Sequence, residues 1–187
     1  MKPAGVGAAL APVLHRAMEI RDQSSHGAQE VFGVAVRRLT ISDADAAAEL
    51  IRTAFAAQSR QTSPPSSALL ETGQSIAAKI AAGGGFRVVQ GGAFIGVALW
   101  SLNGDALHVA RVSVAPEARG RGIAESLVAA CEFEARRRGA RRMTLKTRLE
   151  LPENERLFER YGFARREIEA HPGFEAPTTA VMEKVIG

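Results

Sequence analysis

Apolar and polar positions along this chain follow two alternating periods, and the switches between them predict its elements. Residues 34–39 (Val-Ala-Val-Arg-Arg-Leu) read as a first strand, and Ser42 with Asp45 three residues later has the spacing of a helix cap. Behind it Ala47, Leu50, Ile51, Ala54 and Phe55 recur at helical period, with charged Glu49 and Arg52 on the other side. Pro64-Pro65 bars regular helix within the polar stretch 58–67, and a second helix runs through Ile76 and Ile80 to a stop at Gly83-Gly84-Gly85. Residues 86–90 and 94–101 carry the β-branched and aromatic residues of strands, folded as a hairpin about Gly91-Gly92. Residues 107–114 form the next strand. Ile123, Leu127, Ala130, Cys131 and Glu134 trace one side of a long helix, apolar until its last turn, that stops at Gly139. Another strand spans 142–147. Pro152 suits the first turn of a short helix carrying Leu157, Phe158 and Tyr161 and ending at Gly162, and residues 163–186 supply two last strands. The order β-α-α-β-β-β-α-β-α-β-β describes an α/β fold of the α+β kind, a central mixed sheet flanked by helices on both faces.

Upstream, Leu10, Val13, Leu14, Ala17 and Met18 fall at helical spacing before the polar, glycine-containing stretch 22–33. Residues 1–33 therefore read as an N-terminal extension with a short amphipathic helix, a dimer contact, or sequence upstream of the true start. Residues 34–187 read as the domain. At 187 residues and 46% hydrophobic content the chain can bury one sizeable core, so one compact domain with a short appendage is expected. The 24 basic and 20 acidic residues leave a net charge of +4, enough to favour an anionic cofactor without requiring nucleic acid. Arg136, Arg137 and Arg138 are expected to complement the negative end of their helix rather than to form a nucleic-acid patch.

The single cysteine, Cys131, has no partner for an internal disulfide and lies on an apolar helix face, so it is expected in the core of a cytoplasmic protein. No apolar run approaches the roughly 20 residues that cross a bilayer, and His15 and Arg16 interrupt any signal-type stretch, so no membrane partner or export is expected. His15, His26, His108 and His171 are scattered without ligand spacing, and no metal site is expected. No Gly-x-Ser-x-Gly elbow supports a serine hydrolase.

The segment with the most chemistry is 112–124, Val-Ser-Val-Ala-Pro-Glu-Ala-Arg-Gly-Arg-Gly-Ile-Ala, where a strand stops at a proline and a Gly/Arg turn launches the long helix. Gly120 and Gly122 let backbone N–H groups converge on one anion at the positive end of that helix, and Arg119 and Arg121 add charge and forked donors. The turn lacks the Gly-Lys-Ser/Thr of a nucleoside-triphosphate loop and the third glycine of a dinucleotide fingerprint. A pyrophosphate ligand of another kind fits it better.

Arg119-x-x-Gly122-x-Ala124, preceded by Val112-x-Val114-x-Pro116, resembles the coenzyme A signature of the GCN5-related N-acetyltransferase (GNAT) family. Asn154 through Phe163 is similar to that family's Asn-x-x-x-Tyr-x-x-x-Gly-Phe segment, in the correct order and at about the usual distance. The resemblance covers the chain from about residue 34 onward. It implies acetyl-CoA as cosubstrate, no metal, and transfer of an acetyl group directly to an amine of a small molecule or peptide. It also assigns residues. Val112, Ser113 and Val114 would bind the pantetheine arm and thioester carbonyl, with a main-chain N–H as oxyanion donor. Gly120, Arg121, Gly122, Ile123 and Ala124, with Arg119 at the edge, would hold the pyrophosphate. Asn154 would support the cofactor arm.

Phe158 stands in the cofactor-binding set at the position where the family carries a proton-donating tyrosine, and phenylalanine cannot donate a proton. The acid is then Tyr161 three residues on, a bound water, or absent; Tyr161 also reads as a ring covering the sheet. His108 falls near the register where many relatives carry a glutamate base and is the candidate base, against the reading of a packed or surface histidine. Glu71, Glu150 and His171 are further polar candidates, and Arg148 is placed to orient an acidic acceptor or to cap local carbonyls. The rival reading is a coenzyme A binding module whose catalysis has decayed, acting as a sensor or interaction partner. A basic nucleic-acid binder rests only on the arginine clusters.

Overall fold

The computed structural model describes residues 29–31 and 34–187. The amphipathic positions Leu10 to Met18, with His15 and His26, lie outside the described residues. Eight strands form one sheet: β1 (Gln29–Val31), β2 (Val34–Arg38), β3 (Gly84–Gln90), β4 (Ala93–Asn103), β5 (Ala106–Val114), β6 (Arg142–Arg148), β7 (Ala164–Glu169) and β8 (Thr179–Val185). Their spatial order is β1-β2-β3-β4-β5-β6-β8-β7, antiparallel at every step but β5–β6. Four α-helices connect them: α1 (Ala44–Ala56), α2 (Gly73–Ala82), α3 (Ile123–Arg137) and α4 (Pro152–Arg160). Helices α1 and α2 pack together, α1 on β4 and β5 and α2 on β3 and β4; α3 covers β3, β4 and β5 from the other face. No helix among the described residues is long and apolar enough to cross a membrane.

The helical stripes bury as their spacing requires. Ala47, Leu50, Ile51 and Ala54 of α1, and Ile123, Leu127, Ala130 and Cys131 of α3, are all core residues. Burial and the nearby Glu134 charge push the Cys131 thiol up, which makes it a packing residue and an inert one. Gly96 of β4 is the point of closest approach, because a Cβ there would lie 2.5 Å from Ile123 Cγ2. Its absence lets the first turn of α3 lie directly on the sheet.

Two local expectations change. A short edge strand, β1, pairs with β2 inside the stretch read as an N-terminal extension, and its Gln-Glu-Val sequence carries no alternation to signal it. The cap before α1 is built on Thr40 rather than Ser42: Thr40 N donates to Asp43 Oδ2 at 2.8 Å and Asp43 N donates to Thr40 O at 3.0 Å. A 3-10 turn, Ile41–Asp43, then leads into the helix. The arginines closing α3 stand in its last turn and at its end, as expected, and also bind side chains. Arg137 Nη2 and Arg138 Nε reach back to Glu134 Oε1 at 2.9 and 2.5 Å, and Arg138 stacks on the Trp100 ring at 4.5 Å.

Glu134 is fully buried, and Arg38 of β2 supplies a third guanidinium at 2.5 Å from Oε2. Burial alone would raise its pKa, but the bonds from Arg137, Arg38 and Arg138 outweigh that and hold it at about 2. The carboxylate thus ties α3 to the first strands of the sheet.

A carboxylate held below its unfolded pKa contributes stability above about pH 4.5 that is lost as pH falls through the folded value. Glu134→Gln is expected to lower unfolding free energy at pH 7 by about 3 kcal/mol, since three cations lose their buried partner. Urea titrations from pH 6 to 2.5 check this: the wild type should lose the difference as pH falls below 4.5, and the variant's curve should be the flatter one.

Candidate active site

Strands β5 and β6 share a parallel ladder of only three pairs, Ala106↔Arg142, Leu107↔Met143 and His108↔Thr144. Beyond them β6 continues to Arg148 in register with β8, while residues 109–114 of β5 keep partners only on β4. The two strands part, and a row of main-chain groups on β5 is left without a sheet partner. Between them lies a cleft of about 660 Å³, walled by β5, β6, the C-terminal end of α1 and helix α4.

A bulge turns β5 within this cleft. Leu99 of β4 faces Ala110 and Val97 faces Ser113, so Arg111 and Val112 together oppose Ala98. Arg111 has φ 55°, the left-handed region, and is the one non-glycine residue with positive φ among the described residues. Ser113 Oγ donates to the Arg111 carbonyl at 3.0 Å.

At the other end of β5, Pro116–Ala118 forms a 3-10 turn and the chain enters α3 through Gly120 and Gly122, both at φ 75°. Nothing lies within 4 Å of a Cβ built on either glycine, so backbone conformation and not crowding by the protein requires them. Ser126 N is the first amide of the helix to find a backbone acceptor, donating to Gly122 O at 2.9 Å. The amides of 120–125 make no such bond among the described residues, so they face a ligand or water at the positive end of a 15-residue helix. The cleft reaches this turn at Gly120, Gly122, Ile123 and Ala124.

Arg119 lines the cleft beside that turn with its fork already engaged. Its Nη1 and Nη2 donate to the carbonyls of Ala57 and Ala54 at 3.0 Å each, capping the end of α1. Arg121 is exposed beside the turn.

The remaining expected residues divide. Val112, Ser113, Val114, Asn154, Phe158 and Tyr161 all line the cleft, as does Arg148. Phe158 is 8% exposed and meets the rings of Tyr161 and Phe163 edge-on at 6.3 and 6.0 Å, so it roots α4 in the core. Tyr161 is half-buried, and burial with the Glu125 charge raises its phenol above the usual range. His108 lies outside the lining, at the root of the fork, where its Nδ1 meets Thr144 Oγ1 at 3.1 Å across the last ladder pair. Burial and Lys146 lower its pKa, leaving the ring neutral at pH 7.

Glu71 is buried and ion-paired with Arg111 and Lys79. Arg148, Glu150 and His171 come together: Arg148 Nε donates to Glu150 Oε2 at 3.2 Å, and its Nη1 lies 3.1 Å from His171 Nε2. Glu150 also accepts from Ser63 N at 2.7 Å, and Glu153 accepts from Ser59 Oγ, which ties the α1–α2 loop across to the start of α4. Sequence reasoning passed over Thr144, the Arg111 bulge and these loop tethers. Their only sequence trace is polarity at positions that many loops and edges share.

Residues 47–163 match the family model described as Acetyltransferase (GNAT) family. No curated protein matches the sequence. Among solved structures, the ribosomal-protein-S18-alanine N-acetyltransferase of Escherichia coli is similar over 81% of this chain and 92% of its own, at 19% identity and TM-score 0.65. PaiA N-acetyltransferase of Thermoplasma acidophilum, solved in complex with coenzyme A, is similar over 81% and 98% at 16% identity and TM-score 0.65. Ard1 of Thermoplasma volcanium is similar over 81% and 96% at 15% identity and TM-score 0.65. At such identities the likeness concerns the fold.

The glycine conformations carry a prediction of their own. Gly122→Ala meets no clash but places a Cβ at positive φ, so it should cost about 1 kcal/mol in chemical denaturation. A loss no larger than that of an exposed Gly→Ala at ordinary φ would contradict the assigned backbone.

Proposed function

This chain belongs to the GNAT acetyltransferase family, and from that premise we propose that it moves an acetyl group from acetyl-CoA directly to an amine of a small molecule or peptide. The observation that carries the reading is one cleft holding two kinds of unpaired main-chain donor: the amides of 120–125 and the free edge of β5 at 112–114. These fit the cosubstrate's two demands, an anion cradle for the pyrophosphate and an extended edge for the pantetheine amides. When bound, acetyl-CoA supplies an acyl group activated as a thioester.

The chain's own groups then have separable tasks. The 120–124 amides neutralise phosphate charge with help from the α3 dipole and the exposed Arg121. Main-chain N–H groups of 112–114 stand ready as donors to an acyl oxygen in a site partly shielded from water. Asn154 and Phe158 line the α4 side of the cleft, where they would support the cofactor arm. Tyr161, the chain's single tyrosine, is the phenol of the cleft; its raised pKa keeps it protonated at pH 7 and able to return a proton to a departing thiolate. His108 ties the root of the fork, outside this set.

Isothermal titration of acetyl-CoA against the wild type and a Gly120→Glu, Gly122→Glu double variant tests the cradle; binding should be lost in the variant, and equal affinity would refute the site. Thiol release over a panel of amines tests catalysis. Reproducible turnover on any acceptor excludes a decayed binding module, whereas coenzyme A binding with no turnover on any amine favours that module.

Tyr161→Phe should lower kcat by about 10²-fold or more with KM for acetyl-CoA little changed, because the phenol acts on the leaving group. Unchanged kcat would remove Tyr161 from the mechanism.

A further inference from the structure

Arg111 occupies a conformation that a side chain disfavours and glycine accepts freely, yet the chain places arginine there. Its side chain shows what holds it. Arg111 Nε donates to Glu71 Oε1 at 2.7 Å and Nη2 donates to Ser67 Oγ at 2.9 Å. Glu71 is 3% exposed, and its other oxygen accepts from Lys79 Nζ at 2.6 Å and from Ser75 Oγ. Its main-chain carbonyl accepts from Arg52 Nη1 of α1 at 2.6 Å. The carboxylate is thus fixed to α2, the main chain of Glu71 to α1, and through Arg111 the carboxylate fixes the bulge of β5. A buried carboxylate with this many partners is held in place, and it in turn holds the Arg111 guanidinium. Burial alone would raise the Glu71 pKa; the bonds from Lys79, Ser75 and Arg111 keep it below the ordinary value, so the pair stays charged at neutral pH.

We propose that Glu71 is a positioning residue of the cleft: through its buried pair with Arg111 it holds the β5 bulge in its left-handed conformation and so aims residues 112–114 along the cleft. The proposal rests on the donor-binding reading for its effect on coenzyme A, but the clamp itself is a property of the free protein.

The test uses the full chain with Glu71→Gln, Arg111→Ala, Arg111→Gly and the double variant Glu71→Gln, Arg111→Gly. Three readouts are taken: amide hydrogen exchange, coenzyme A affinity by titration calorimetry, and the thermal midpoint. Glu71→Gln should speed exchange of the Ala115 amide, which donates to Ile95 O at 3.0 Å just past the bulge, relative to Val88 and Val97, and weaken coenzyme A binding about tenfold, since slight misplacement of a binding edge is costly. Arg111→Ala, which keeps the unfavourable φ without the pair, should do the same.

Arg111→Gly should bind within about threefold of wild type, because glycine adopts the bulge unaided. Adding Glu71→Gln to it should then change affinity little. The proposal is overturned if Glu71→Gln leaves exchange at Ala115 unaltered, or if it weakens binding by the same factor with and without Arg111. It is equally overturned if Arg111→Gly binds no better than Arg111→Ala. Should Glu71→Gln fail to fold, the contrast between the two Arg111 variants decides alone. A wild type that does not bind coenzyme A would sink the donor reading and not the clamp, which the exchange rates then settle.

Discussion

The parallel ladder between β5 and β6 ends at His108 and Thr144, and the rest of the cleft depends on that ending. Backbone N–H and C=O groups in a sheet interior are ordinarily consumed by a neighbour, so a strand that loses its neighbour midway is left with a row of polar groups to satisfy. In this fold β6 turns to β8 and β5 turns through its bulge, and the gap between them becomes the site. The His108–Thr144 contact sits where the fork opens, a polar tie at the last paired position. Without the divergence there would be no free edge, and α4 would have no groove to wall.

Buried carboxylates brace this divergence. Glu134 joins α3 to β2, Glu71 joins α1, α2 and β5, and Glu132 joins α3 to Lys184 of β8 at 2.6 Å. Each is an acidic residue that accepts from an arginine or lysine of a distant part of the chain, beside nearer partners. An unpaired carboxylate would be prohibitively costly at those depths, so each pairing restricts how the elements can be arranged. The modest excess of basic residues is therefore a poor guide to partners, since much of the charge is spent internally.

Much of the architecture was legible in sequence because it depends on local periodicity and punctuation. The stripes of α1 and α3, the Gly91-Gly92 hairpin, Pro152 at the start of α4 and the Gly120/Gly122 turn all express short-range steric rules. The candidate cleft was legible for the same reason where main chain lines it: Val112 to Val114, Gly120, Gly122, Ile123 and Ala124 border one cleft. What escaped was side-chain traffic between segments far apart in sequence. Arg119 stands in the motif and sends its guanidinium to the end of α1 instead. His108 stands on the right strand, yet at the root of the fork rather than along its opening.

The chain's own order of residues thus determined which segments are helices and strands, where the anion-binding turn lies, and which family pattern the chain carries, because each depends on contacts within a few residues. Only the tertiary structure decided that Arg111 would adopt a left-handed bulge held by Glu71, that Phe158 would root a helix, and that Arg148, Glu150 and His171 would meet. Those outcomes depend on which partner reaches a buried or strained group first in space, and spacing along the chain carries no information about that.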